Sequence, residues 1–158
     1  MHGRRDPGTG KRPVPGAGDA LAERMTTDIE RTADQAALAL EVDGDGVAWL
    51  TFDRPDSRVN LLTSEVMERL DAHLGTIEEG ARTGRIKAVI VRSGKPGMFI
   101  AGADISGIQD ITDPAEASAK AVAGQAVFRR LEKLPVPTIA AIDGVCLGGG
   151  TELVLACA

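Results

Sequence analysis

Pro135-Val136-Pro137-Thr138-Ile139-Ala140-Ala141-Ile142-Asp143-Gly144-Val145-Cys146-Leu147-Gly148-Gly149-Gly150-Thr151-Glu152-Leu153 carries the pattern that decides the fold. The two prolines end whatever helix precedes them, because proline cannot continue one. Thr138 to Ile142 is an apolar run of the length of a short buried strand. Asp143-Gly144 turns out of it. The glycine-rich loop then leads into Thr151 to Ala158, an apolar segment with helical character. Strand, glycine loop and helix in succession are the signature of an α/β fold.

The same alternation extends upstream. Asp113-Pro114-Ala115-Glu116 is a strong helix start: Asp as cap, Pro at the first helical position and Glu three residues after the cap. Val122, Val127, Leu131 and Leu134 follow as its expected buried side. Ala88-Val89-Ile90-Val91 is a continuous apolar run, which predicts a parallel strand covered on both faces. Ser93-Gly94-Lys95-Pro96-Gly97 is a loop, and Met98 to Ile105 is apolar but interrupted by Gly102 and Asp104. Thr63 or Ser64 caps an earlier helix, with Val66, Met67, Leu70, Leu74 and Ile77 at helical spacing and Gly80 and Gly84 bracketing its end. Leu38, Leu40 and Val42 alternate as in a half-buried strand. Asp43-Gly44-Asp45-Gly46 is a hairpin turn, and Val47 to Phe52 is the return strand.

Residues 1–35 read differently. The first eighteen include five Gly and three Pro without apolar periodicity, so a disordered N-terminal extension is expected there. Met25 is an alternative translation start; a genuine flexible tail is the other reading. The folded part is expected over 36–158. Its last helix shows no stop signal before Ala158, which suggests the N-terminal part of a longer protein, truncated at the C-terminus.

Composition narrows the function classes. The chain has 158 residues, 43% apolar and 26% charged, which suits one folded domain. A net charge of −5 argues against nucleic acid as a partner, and one Trp, three Phe and no Tyr argue against a base-stacking surface. Two Cys and two His without a ligand-type pair predict no metal site, and the Cys usage suits a reducing compartment. No apolar run reaches the roughly 18 residues of a membrane span, and no export signal is visible. A cytoplasmic protein is expected. Cys146 and Cys157 read as packing residues and His73 as a helix-surface residue.

Two segments carry the chemistry: Phe99-Ile100-Ala101-Gly102-Ala103-Asp104-Ile105 and Gly144 to Leu153. Both place small residues where a strand meets a loop or helix, so a ligand can approach the backbone closely. Glycines at a helix N-terminus expose unpaired N–H donors at the positive end of the helix dipole, a setting for a negatively charged oxygen. Glu152, three residues past Gly149, is placed to act as a base on a group held there. A triphosphate loop is excluded because Gly150 stands where the P-loop needs Lys, and a dinucleotide fingerprint fails because Leu153 replaces its third Gly. Taken singly, each segment is more simply read as tight turns and close helix–sheet packing.

Together the segments resemble the crotonase superfamily, the enoyl-CoA hydratase/isomerase family. The matching residues are Phe-Ile-Ala-Gly-Ala-Asp-Ile at 99–105, Pro-Val-Pro-Thr-Ile-Ala-Ala-Ile-Asp-Gly at 135–144 and Leu-Gly-Gly-Gly-Thr-Glu-Leu at 147–153, with Asp53-Arg54-Pro55 and Val59-Asn60 upstream. Asp-Arg-Pro-Asp-Ser-Arg-Val-Asn at 53–60 is most similar to the hydratase part of a multifunctional fatty-acid oxidation alpha subunit. The resemblance implies an α/β, crotonase-like (ClpP/crotonase) fold built of ββα units, here incomplete. It implies an oxyanion hole from the backbone N–H groups of Ala103 and Gly149, and Glu152 as one of two hydratase glutamates, the second lying on a later loop. It implies an acyl-CoA passing near Arg58, Val59, Ala101, Asp104 and Ile105, mostly by main-chain contacts. No separate cofactor is implied, since coenzyme A is part of the substrate. The parent would be a homotrimer or part of a fatty-acid oxidation complex that hydrates trans-2-enoyl-CoA to 3-hydroxyacyl-CoA. Isomerisation or hydrolysis of the thioester would use the same oxyanion hole. With only one of the two hydratase glutamates that the resemblance implies, the 158-residue chain alone is expected to be inactive; a non-catalytic, partner-binding chain is the remaining alternative.

Overall fold

The computed structural model describes residues 37–55, 57–104 and 112–157. The expected disordered extension over 1–35 lies outside these residues, as does Ile105.

The element order is β1 (Leu38–Val42), β2 (Val47–Phe52), α1 (Ser64–Arg82), β3 (Ala88–Ser93), β4 (Met98–Ile100), α2 (Pro114–Glu132), β5 (Thr138–Ala141), β6 (Val145–Cys146) and α3 (Gly149–Leu155). The expected hairpin joins β1 and β2, antiparallel, with Leu40 opposite Leu50. Its turn is held by Asp43, whose Oδ1 accepts from the N–H groups of Asp45 and Val47 at 3.0 and 2.9 Å. The Asp43 Oδ2 accepts from Trp49 Nε1 at 2.9 Å, and this bond, with that from Val47, holds the carboxyl below its usual pKa.

The main sheet runs β1-β2-β3-β5. β3 pairs in parallel with both β2 and β5, and α1 and α2 supply the crossovers that parallel pairing requires. Thr63 caps α1 through its side chain, which accepts from the Val66 N–H at 3.2 Å. Val66, Leu70, Leu74 and Ile77 form its buried stripe, and they pack with Leu38, Leu50, Phe52, Val89 and Val91 in one core. Each such side chain contributes about 1.5–3 kcal/mol on burial.

Gly80 and Gly84 bracket the end of α1 as expected: the helix runs to Arg82, Gly80 lies in its last turn, where a Cβ would stand 2.5 Å from Ile86 Cδ1, and Gly84, with φ +74°, follows the Thr83 cap. Three expectations need correction. The apolar run at 88–91 is covered by described residues on one face only. Val89 and Val91 are buried, whereas Trp49, Ile90 and Ile139 share the other face and Ile139 is 55% exposed. On that face the Arg92 guanidinium lies 4.7 Å from the Trp49 ring centroid. Val122 is 60% exposed, because α2 buries only Leu131 fully, in its last turns. Finally, α3 does not continue to Ala158. It closes at Leu155, with the Ala156 N–H folded back on the carbonyls of Glu152, Leu153 and Val154.

No helix among the described residues is long and apolar enough to cross a membrane. The β4–β6 pair forms a second, two-stranded parallel sheet, with Met98 opposite Val145 and Ile100 opposite Cys146. This pair sets the two glycine-bearing segments side by side.

Candidate active site

β4 and β6 deliver their C-terminal ends to the same place. The Leu147 N–H donates to the Ile100 carbonyl at 3.0 Å. Beyond β4 the chain runs alongside residues 60–62. Ala101 N donates to the Asn60 carbonyl at 2.9 Å, Leu62 N to the Gly102 carbonyl at 2.9 Å, and Asp104 N to the Leu62 carbonyl at 3.2 Å. In a regular strand the Ala101 N–H and the Gly102 carbonyl would point to opposite sides. Here both face the 60–62 segment, which demands a turned backbone at residue 102. Gly102 supplies it with φ +124°. Because the next peptide is trans and planar, its N–H points away from its carbonyl. The Ala103 N–H is therefore turned away from the 60–62 segment.

The second donor arises the same way. The Gly148 carbonyl accepts from the N–H groups of Thr151 and Glu152 at 2.9 and 3.2 Å, so it points into α3. The Gly149 N–H, across the same peptide, points out of the helix N-terminus. Gly148 has φ +49°, and a Cβ there would stand 3.8 Å from Gly102 Cα. A Cβ on Gly149 would stand 3.6 Å from Ala103 N, and one on Gly150 2.7 Å from the Ile100 carbonyl oxygen. The glycine run is thus what lets the two segments touch. Among the described residues, neither the Ala103 N–H nor the Gly149 N–H has an acceptor. Two adjacent, unpaired donors at the start of a helix suit one oxygen that gains negative charge.

Around this pair the other sequence-derived candidates take distinct places. Glu152 lies in the first turn of α3 and is exposed. Ala101 and Asp104 flank the Gly102-Ala103 peptide and are half-buried. Val59 is half-buried in the loop after β2, where its N–H donates to Ser57 Oγ at 3.2 Å, and Arg58 beside it is exposed. Ile105 lies outside the described residues. Cys146 and Cys157 are free and half-buried; burial pushes the Cys157 thiol up to about 11. His73 is half-buried against the Leu38 carbonyl rather than on an open surface, and desolvation lowers its pKa. No group of three or more His, Cys, Asp or Glu among the described residues could hold a metal ion.

Two residues of the site were not among its expected members, although Asn60 stands in the Val59-Asn60 family match. Leu62 ties 102 and 104 through its backbone, and its Cδ1 would lie 3.1 Å from a Cβ on Gly149. Asn60 is buried and bonded to three separate segments. The available signal for Asn60 was a polar amide between apolar neighbours, Val59 and Leu61, whose partners lie far along the chain.

Residues 43–158 match the enoyl-CoA hydratase/isomerase family. The chain belongs to that family. Among curated relatives, the fatty acid oxidation complex subunit alpha of Aliivibrio fischeri is 46% identical over 122 residues, covering 77% of this chain and 18% of the relative. The same subunit of Idiomarina loihiensis is 44% identical over 121 residues, covering 77% and 17%. Among solved structures, an enoyl-CoA hydratase/carnithine racemase from Magnetospirillum magneticum superposes with a TM-score of 0.70 at 31% identity, covering 78% of this chain and 45% of that one. An enoyl-CoA hydratase from Bacillus anthracis gives 0.68 at 30% identity, covering 77% and 45%. The α/β fold is therefore crotonase-like. The chain spans under a fifth of these alpha subunits and under half of these hydratases.

Proposed function

We propose that this chain supplies the oxyanion half of an acyl-CoA site in a protein that adds water to trans-2-enoyl-CoA, giving 3-hydroxyacyl-CoA. The observation that carries this reading is the adjacent Ala103 and Gly149 N–H groups, neither of which has an acceptor among the described residues. As the water oxygen bonds to C3, electron density moves through the former C2–C3 double bond to the thioester oxygen. Donors placed for that charge are typically worth about 10²–10³ each in rate. Glu152, one helical turn beyond Gly149, orients the water and takes its proton. A second carboxylate, which the family resemblance expects on a later loop, gives a proton to C2 and completes the addition. Coenzyme A enters as part of the substrate, with its chain near Arg58, Val59, Ala101, Asp104 and Ile105, and no separate cofactor is needed. Membership of a fatty-acid oxidation complex is the matching assembly.

The test is product analysis of the whole protein with a trans-2-enoyl-CoA in ¹⁸O-labelled water. The expected product is a 3-hydroxyacyl-CoA with the label on C3. A shifted double bond would replace hydration by isomerisation, and free coenzyme A would replace it by hydrolysis. An unchanged substrate would favour a non-catalytic chain. The Glu152→Gln variant is expected to lose about 10²–10⁴ in turnover.

A further inference from the structure

Asn60 lies in the connection between β2 and α1, outside any regular element, and is 2% exposed. Its Nδ2 donates toward the Phe52 carbonyl at 3.0 Å, Ser93 Oγ at 2.9 Å and the Phe99 carbonyl at 3.0 Å. Its Oδ1 accepts from the Arg54 N–H at 2.9 Å, and its main-chain carbonyl accepts from Ala101 N at 2.9 Å. An amide nitrogen has two protons, so three acceptors share them. Phe52 and Ser93 are the last residues of β2 and β3, and Phe99 is the middle residue of the three-residue β4. One side chain thus joins three strands near their C-terminal ends, where the sheet edge gives way to loops.

The consequence is felt at Gly102 and Ala103. Asn60 holds the 99–101 segment at Phe99 and Ala101, immediately before the turned Gly102 peptide. It also anchors the chain two residues before Leu62, whose N–H fixes the Gly102 carbonyl. Both rails of the short ladder that aims the Ala103 N–H therefore start at Asn60. Only a primary amide supplies paired donors on one side and an acceptor on the other at this size. Asp would put an acceptor against the Phe52 and Phe99 carbonyls, and Ser would be too short to reach all three strands.

We propose that Asn60 is the positioning residue of the oxyanion pair, holding the Ala103 N–H in line with the Gly149 N–H. This rests on the acyl-oxyanion reading above. Asn60 does not touch substrate; it acts through the Ala101–Ala103 backbone. Oxyanion donors lose their effect when displaced by a fraction of an ångström, so loosening these rails lowers transition-state stabilisation more than ground-state binding.

The experiment uses the whole protein and cinnamoyl-CoA, an aryl enoyl thioester whose absorption band moves to longer wavelength as its carbonyl is polarised. In the wild type the band is expected to shift on binding. In Asn60→Asp and Asn60→Ser the protein is expected to stay folded by circular dichroism, lose most of the shift, and turn over an enoyl-CoA about 10- to 100-fold more slowly with little change in KM. Folded variants with the wild-type band shift and turnover would overturn the role of Asn60 alone. A wild type that binds the probe without a band shift, or fails to bind it, would overturn the acyl-oxyanion reading and the proposal with it. Should both Asn60 variants fail to fold, Asn60→Gln is read instead, since it keeps the amide but displaces it by one methylene. A reduced shift there supports the proposal, and an unchanged one overturns it.

Discussion

The backbone nitrogen of Ala103 lies 3.6 Å from where a Cβ on Gly149 would stand, and Leu62 Cδ1 lies 3.1 Å from the same point. Glycine at 149 therefore leaves a gap of methyl size beside the Ala103 N–H. The Gly149→Ala variant is expected to fold, because the Leu62 methyl is the end of a flexible side chain. Its methyl would occupy the gap and crowd an oxygen approaching Ala103. Enoyl-CoA turnover is expected to fall by about 10²–10³, measured by steady-state kinetics beside circular dichroism. Wild-type turnover would remove the oxygen site from between these two residues.

Glycines elsewhere should separate into two groups on substitution. A Cβ on Gly144, at φ +81°, would stand 2.0 Å from the Gly97 carbonyl oxygen, and its three nearest atoms all belong to the Gly97 backbone. Gly144→Ala is expected to cost about 3 kcal/mol or more and to loosen the β4–β6 pair. Gly124 lies inside α2 with nothing within 4 Å of its Cβ position. Gly124→Ala is expected to stabilise by about 0.5–1 kcal/mol. Urea denaturation of both variants checks the contrast; similar destabilisation by the two would contradict it.

The docking of α2 on α1 depends on Arg130. Its Nη1 is paired with Asp71, while Nε and Nη2 reach Glu78 at 3.1 and 2.9 Å. A fork that grips two carboxylates cannot be copied by an ammonium. Since Leu131 is the only fully buried residue of α2 among those described, apolar packing compensates little. Arg130→Lys is expected to destabilise by about 1 kcal/mol after allowance for solvent screening, and Arg130→Met somewhat more. The loss should shrink at high salt. Melting temperatures at two ionic strengths would test it, and a salt-independent effect would point to lost packing instead.

Cys157 should respond to pH in a defined direction. Burial favours the neutral thiol and pushes its pKa up from 9.0 to about 11. The folded value lies above the unfolded one, so this contribution to stability is complete below about pH 9 and is lost as pH rises toward 11. At pH 8 the folded thiolate fraction should be about a hundredfold below that of the unfolded chain. Alkylation of Cys157 by iodoacetamide, followed by mass spectrometry with and without urea, should show that difference. Equal rates would mean that the thiol is not shielded.

Local chemistry was enough for much of the fold. Asp43-Gly44-Asp45-Gly46 specified the hairpin, and Thr63 and Asp113 marked helix starts, because turns and caps are settled within a few residues. The apolar runs at 88–91 and 138–142 announced strands, though not the exposed face that carries Ile139, and the crotonase resemblance supplied the residues to look for. The β4–β6 pair was not legible, because three-residue and two-residue strands are too short to show a period. Nor was the exposure of Val122, which depends on where the end of α2 meets the core. At the candidate site, sequence alone named Ala103, Gly149 and Glu152 without saying which way any donor faced. For Ala103 that direction is set by Leu62 and Asn60, some forty residues before it along the chain, through hydrogen bonds to loops that only the sheet brings together. Residue identity is local information, whereas the aim of a backbone N–H follows from which carbonyl, far along the chain, its neighbours are bonded to.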